Sequence, residues 1–271
     1  MFTLIPVLFA FAGAHPSTAS LIQPLLHRAT LTSSISSGCP ANGPLSCSSS
    51  AAGTCCFEAP GGLVLQTQFW DTNPSTGPTD SWTIHGLWPD NCDGTFSEDC
   101  DPSRDYTGIN NLLTEQNASS TLTFMNEFWK NLPTDGTDEE LWEHEWATHG
   151  TCYSTLQVSC LPAGSPRAAE AVAFFKTVVG LFQTLPTFTW LENQGISPSK
   201  SGTHTLASLV AAIKAESGFA PTFDCDGSTL NGIFYYFHLS GSVIDGEFVM
   251  IDAPESSSCP SSGIKYPPKS G

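Results

Sequence analysis

Basic residues are what this chain has least of. Nine Lys plus Arg stand against 26 Asp plus Glu, a formal charge of −17. A protein that grips nucleic acid along its phosphates carries the opposite balance. A broad cationic face is therefore excluded, and any polyanionic substrate must be handled by a local site, better at acidic pH where carboxylates and histidines take up protons. Past the N-terminus no apolar run reaches the roughly 20 residues that a membrane helix needs. The cysteines form no paired C-x-x-C knuckles, which removes that class of zinc module. No repeat or clear linker divides the chain. Helical and strand patterns do not alternate regularly, which disfavours a doubly wound sheet.

What is present points to an oxidising compartment. The apolar stretch Phe2 to Ala14 ends in Ala12-Gly13-Ala14 and reads as a cleaved signal peptide over residues 1–14, although no Lys or Arg precedes it. Residues 15–38 are Ser/Thr-rich and read as a flexible lead-in. Ten cysteines follow, an even number: Cys39, Cys47, Cys55, Cys56, Cys92, Cys100, Cys152, Cys160, Cys225 and Cys259. They read as five disulfides, with the pairing left open by counting alone. Asn117-Ala118-Ser119 is an acceptable glycosylation sequon. The expectation is a secreted, extracellular protein with no membrane attachment, monomeric, with residues 39–271 forming one disulfide-rich α+β domain. Its centre would be an antiparallel sheet with several helices packed on it.

Two stretches carry the chemistry. The first, S-W-T-I-H-G-L-W-P from Ser81 to Pro89, reads as a strand with Trp82 and Ile84 on one face and Thr83 and His85 on the other. Gly86 then permits a bend, so His85 is expected at a strand end. The second is L-W-E-H-E-W-A-T-H-G-T-C, from Leu141 to Cys152. Trp142 and Trp146 stand four apart and share one helical face, an anchor in the core. Glu145 and His149 share the adjoining face. Asp138, Glu139 and Glu140 suit the first turn of that helix, and Gly150 reads as its stop.

A lone histidine in a sheet is as often structural as functional. A histidine at a strand end together with a Glu/His pair on a helix is a different matter. RNA transphosphorylation needs one group to remove the 2′-hydroxyl proton, a second to protonate the leaving 5′-oxygen, and a third to steady the phosphoryl oxygens. No metal cofactor is required, because the nucleophile is held beside its target. A zinc hydrolase on His144 and His149 is the competing reading. It is opposed by their i, i+5 spacing, roughly 140° around a helix, where metal-binding histidines on a helix stand at i, i+4.

W-T-I-H-G-L-W-P and H-E-W-A-T-H-G-T-C resemble the two active-site segments of the ribonuclease T-two family, secreted acid endoribonucleases. The resemblance runs from about Cys39 to Tyr266 and includes the ten-cysteine layout of the fungal members. It implies an α+β fold and cleavage of single-stranded RNA through a 2′,3′-cyclic phosphate. It also implies the bridges Cys39–Cys56, Cys47–Cys92, Cys55–Cys160, Cys100–Cys152 and Cys225–Cys259. By the same resemblance His149 is the general base, His85 the general acid, and Glu145 acts at the phosphate, with His144 binding it. Trp88, Asp90 and Phe96 fall where the family holds one base, and Leu141 sits where an aromatic often lines the second base site. The sequence departs from the family at Thr148, where a lysine is expected. That departure implies a slower enzyme leaning on protonated His144, or, alternatively, a catalytically weak member acting as a secreted effector or interaction protein.

Overall fold

The computed structural model describes the backbone of residues 28–30 and residues 38–40 and 42–270. The expected signal peptide lies outside these residues, as does most of the expected lead-in. Three residues of that lead-in, Arg28–Thr30, are not loose but form strand β1.

The organising element is an antiparallel sheet in the order β1-β7-β6-β2-β3, from β2 (Leu63–Phe69), β3 (Thr83–Asp90), β6 (Thr229–Ser240) and β7 (Glu247–Ile251). Strand β5 (Thr222–Asp226) pairs with β6. Strand β4 (Thr203–Thr205) pairs with β8 (Ser262–Lys265), which touches β6 in parallel. Helices α1 (Ile109–Glu115), α2 (Ser119–Phe128), α3 (Asp138–Thr148), α4 (Ala169–Gln183), α5 (Thr187–Asn193) and α6 (Leu206–Ser217) accompany it. This is the α+β architecture expected from the sequence. The five disulfides pair as the family resemblance implies: Cys39–Cys56, Cys47–Cys92, Cys55–Cys160, Cys100–Cys152 and Cys225–Cys259.

One cluster of apolar side chains joins the sheet to the helices, with Val64, Ile84, Leu87 and Phe237 from the strands and Trp142, Trp146, Phe174 and Phe175 from the helices. The segment 169–193 is, by length and composition, apolar enough to cross a membrane, which the sequence reading did not anticipate. It breaks between α4 and α5 at Thr184–Pro186, and two thirds of it is buried in this core. Its apolarity is that of a core helix.

The strand carrying His85 differs from expectation in an informative way. Gly86 does not bend the chain out of the sheet; β3 runs on to Asp90. Thr67 pairs with Gly86 and Gln68 with Ile84, so His85 is the extra residue of a β-bulge. A bulge resets the two-residue alternation. Ile84 and Leu87, three apart, both enter the core, and His85 and Trp88, also three apart, meet edge-on at 4.8 Å on the opposite side.

Candidate active site

Helix α3 brings the second motif to this face. Thr137 caps its N-terminus, accepting from the Glu140 N–H at 3.2 Å while the Glu140 carboxylate accepts from the Thr137 N–H at 2.7 Å, a reciprocal capping box. Its three acidic residues follow in the first turn, as expected. Trp142 and Trp146 are buried, and their indole N–H groups donate to the Trp129 and Arg104 carbonyls at 2.9 and 2.6 Å. The helix is thus fixed in rotation and in depth. It ends at Thr148, with His149 as its C-cap. Gly150 acts differently from a left-handed stop: a Cβ there would lie 2.4 Å from the Trp146 ring, so glycine is needed for close packing.

Glu145 is fully buried beneath this surface. It accepts from the Trp88 indole N–H at 2.9 Å, and its other oxygen lies 3.3 Å from His85 Nε2. The carboxylate can come this close only because residue 86 is glycine, since a Cβ there would sit 1.9 Å from Glu145 Oε2. Burial alone would push the Glu145 carboxyl up, but facing His85, the His149 ring and the Trp88 N–H outweigh it and hold it below the usual range. It is therefore an ionised carboxylate.

His149 stacks on the Trp88 ring at 4.9 Å and 26°. Burial pushes its pKa down to about 4, against the opposing pull of Glu145 and Asp99. His85 stacks on Phe69 at 3.8 Å. His144 is exposed, and its ring centroid is 6.2 Å from that of His149. The i, i+5 spacing suggested wide separation. Instead His144, Glu145 and His149 offer donor atoms within 4.8 Å of one another, because His149 has left the regular helix. These three residues could hold a metal ion, although Glu145 already has Trp88 and His85 as neighbours.

Two clefts flank the histidines. One, of about 410 Å³, is lined by Trp88, Asp90, Phe96, His149, Phe234 and Glu255. The other, of about 470 Å³, is lined by Phe69, Asp71, His85, Lys130, Leu141 and His144. The sequence residues His85, Glu145, His149, His144 and Trp88 thus converge, with Asp90 and Phe96 beside them. Phe96 projects freely, 63% exposed. Burial, with Glu255 facing it, pushes the Asp90 pKa up to about 7. Asn117 lies apart, exposed between α1 and α2. A still larger cleft of about 630 Å³, lined by Cys47, Ser49 and Asp93 among others, contains no histidine.

Sequence reading missed Phe69, Asp71, Phe234 and Glu255. Phe69 and Phe234 fall in strands whose alternation flags them only as sheet residues. Asp71 and Glu255 sit in loops with no pattern that distinguishes them from the chain's other acidic residues.

The sequence model of the Ribonuclease T2 family matches residues 61–248. Ribonuclease Le2 of Lentinula edodes is 74% identical over 235 residues, covering 87% of this chain and 98% of its own. Ribonuclease T2 of Aspergillus oryzae is 45% identical over 234 residues, covering 85% of this chain and 84% of its own. The crystal structure of Actibind, a T2 ribonuclease, superposes with a TM-score of 0.82 at 46% identity, covering 86% of this chain and 98% of that one. Fold, motifs and relatives agree: the chain belongs to the Ribonuclease T2 family and is an RNA-cleaving enzyme.

Proposed function

We propose that the chain is a secreted endoribonuclease that cleaves single-stranded RNA by transphosphorylation, forming a 2′,3′-cyclic phosphate. The observation that carries this reading is a neutral histidine and a second, carboxylate-paired histidine flanking one buried carboxylate. His149, with its pKa at about 4, is unprotonated under mildly acidic conditions and free to accept the 2′-hydroxyl proton. His85, whose Nε2 faces the ionised Glu145 at 3.3 Å, delivers a proton to the departing 5′-oxygen. Glu145 lies beneath both and compensates positive charge as the proton inventory shifts between them. His144 binds a phosphoryl oxygen from the open side. The two clefts fit the two nucleosides, since His149 lines one while His85 and His144 line the other. On this reading the scissile phosphate lies between them.

Trp88 and Phe96 offer faces for stacking a base, a contact of about 1–3 kcal/mol. Asp90 recognises its polar edge, as a carboxylic acid below about pH 7 and as a carboxylate above it. Asn117 carries glycan, and the protein acts as a monomer without membrane attachment. The domain extends over 39–271.

Digestion of RNA near pH 5 in the presence of chelator, with His85→Ala and His149→Ala alongside, tests the reading. The expected result is cyclic-phosphate ends from the unmodified protein alone, with kcat/KM falling as pH drops through about 4, where His149 protonates. Cleavage abolished by chelator and restored by zinc would instead favour a metal held by His144, Glu145 and His149. A folded protein that cuts no RNA would turn the assignment toward the effector role.

A further inference from the structure

Thr148 occupies the place where the family resemblance expects a lysine, yet it is not a vacancy. It is buried at the end of α3, with Oγ1 3.2 Å from Asp99 Oδ1 and 3.3 Å from His144 Nδ1. The backbone closes the same junction, because the Asp99 N–H donates to the Thr148 carbonyl at 3.1 Å. Asp99 holds a left-handed backbone with φ +51°, and the next residue, Cys100, is bridged to Cys152 just beyond the helix. Aspartate is among the few non-glycine residues that adopt this conformation, as a single residue held by local hydrogen bonds. The loop is therefore fastened to the helix end by a covalent bond, a backbone hydrogen bond and a side-chain bond.

The direction of the hydrogen bonds follows from counting protons. A carboxylate only accepts, and a hydroxyl has one proton to give. With that proton committed to Asp99, the Thr148 oxygen can only accept from the His144 ring. His144 must then carry its proton on Nδ1, which leaves Nε2 outside this hydrogen bond. We propose that Asp99 is a positioning residue for the ribonuclease reaction, acting through the Thr148 hydroxyl to fix the tautomer and orientation of His144 at the phosphate. This rests on the transphosphorylation reading for its purpose, though not for its geometry. With Nδ1 engaged by Thr148, Nε2 is the ring nitrogen left to meet a phosphoryl oxygen, so the relay aims the imidazole from the position where the family resemblance expects a lysine.

The test uses the full chain with its histidines labelled with ¹⁵N, and four variants. Thr148→Val keeps the shape and removes the hydroxyl, whereas Thr148→Ser keeps the hydroxyl. Asp99→Asn tolerates the left-handed backbone but replaces the charged acceptor with a neutral amide whose NH2 can face Thr148, so the Thr148 proton is no longer held toward residue 99 by a carboxylate and can turn to His144. The fourth combines Asp99→Asn with Thr148→Val. In the free enzyme, with the His144 ring neutral, the nitrogen shifts should report Nδ1–H for the unmodified protein and Thr148→Ser. They should move toward Nε2–H in Thr148→Val and Asp99→Asn. With RNA, kcat should fall about tenfold in each of those two and no further in the double variant, as expected for groups in one network. KM should change little, which separates misaligned chemistry from lost binding.

An unchanged His144 nitrogen pattern in both Thr148→Val and Asp99→Asn would overturn the relay, as would kcat losses that multiply in the double variant. If Thr148→Val fails to fold, Asp99→Asn still decides. Because the ring is read without substrate, the two proposals fail separately. An intact relay with no RNA cleavage would sink the function and leave the relay, and active enzyme with a free His144 ring would do the reverse.

Discussion

Asp90 shows how one buried side chain ties stability to pH. It is buried beside the cleft lined by Trp88 and Phe96 with Glu255 facing it, and its pKa is pushed up to about 7. In an unfolded chain the carboxyl ionises near its ordinary value of about 3.8. Between these pH values the unfolded state releases a proton that the folded state retains, so ionisation favours unfolding. The cost begins as pH rises past 3.8 and is complete once pH exceeds about 7. Asp90→Asn removes it, because an amide has no charge to bury. Thermal melts from pH 3 to 8 should therefore show no gain for Asp90→Asn below pH 4, a growing gain toward neutrality, and a plateau above pH 7. A constant difference across the range would mean that the effect is packing and not ionisation. The stability advantage should come with poorer discrimination among bases, since the amide presents a different edge.

At the level of elements, the site depends on a bulged strand meeting a rotationally fixed helix. The helix was legible in the sequence. The Trp142/Trp146 spacing, the acidic first turn and Glu145 lie on it as read, because a 3.6-residue period survives whatever packs against it, while His149 falls one residue beyond as the C-cap. The strand was only half legible. Two-residue alternation gives His85 and Trp88 opposite faces, and nothing local reveals the extra residue that puts them on one. That feature comes from how β2 pairs with β3, which is tertiary information. Gly86 likewise looked like a bend, whereas its real constraint is the Glu145 carboxylate across the interface. Gly86→Ala tests this junction. A Cβ 1.9 Å from Glu145 Oε2 and 2.8 Å from Trp88 Nε1 must drive both groups apart. Overpacking of this kind costs about 1–3 kcal/mol. The expected outcome is a folded protein with a modestly lowered Tm and kcat/KM reduced on the order of 10²-fold, the penalty for misplaced catalytic groups. Near-normal activity would show that Glu145 does not need this position.

Across the whole molecule, the charge of −17 offers RNA no general attraction, so productive encounter depends on the cleft residues being held in place. The disulfides contribute unequally to that task. Cys55–Cys160 closes a separation of 105 residues, and Cys100–Cys152 one of 52. On chain entropy alone they stabilise by about 5 and about 4 kcal/mol. The first ties the N-terminal lobe to the turns after the active-site helix, where buried Glu58 also accepts from the Ser154 and Thr155 N–H groups at 2.9 and 3.1 Å. The second joins the loop carrying Phe96 and Asp99 to the end of α3. Stability and activity should therefore rank the bridges in opposite order. Replacing both cysteines of the 55–160 pair with serine should lower Tm more, while leaving kcat/KM near that of the parent at a temperature where both proteins are folded. Replacing the 100–152 pair should lower Tm less and kcat/KM by about tenfold or more, because the catalytic helix end loses its anchor to the loop. Activity losses that simply follow Tm in both variants would mean that the bridges act only on global stability. In that case the backbone and side-chain bonds between Asp99 and Thr148 would be sufficient to hold the loop.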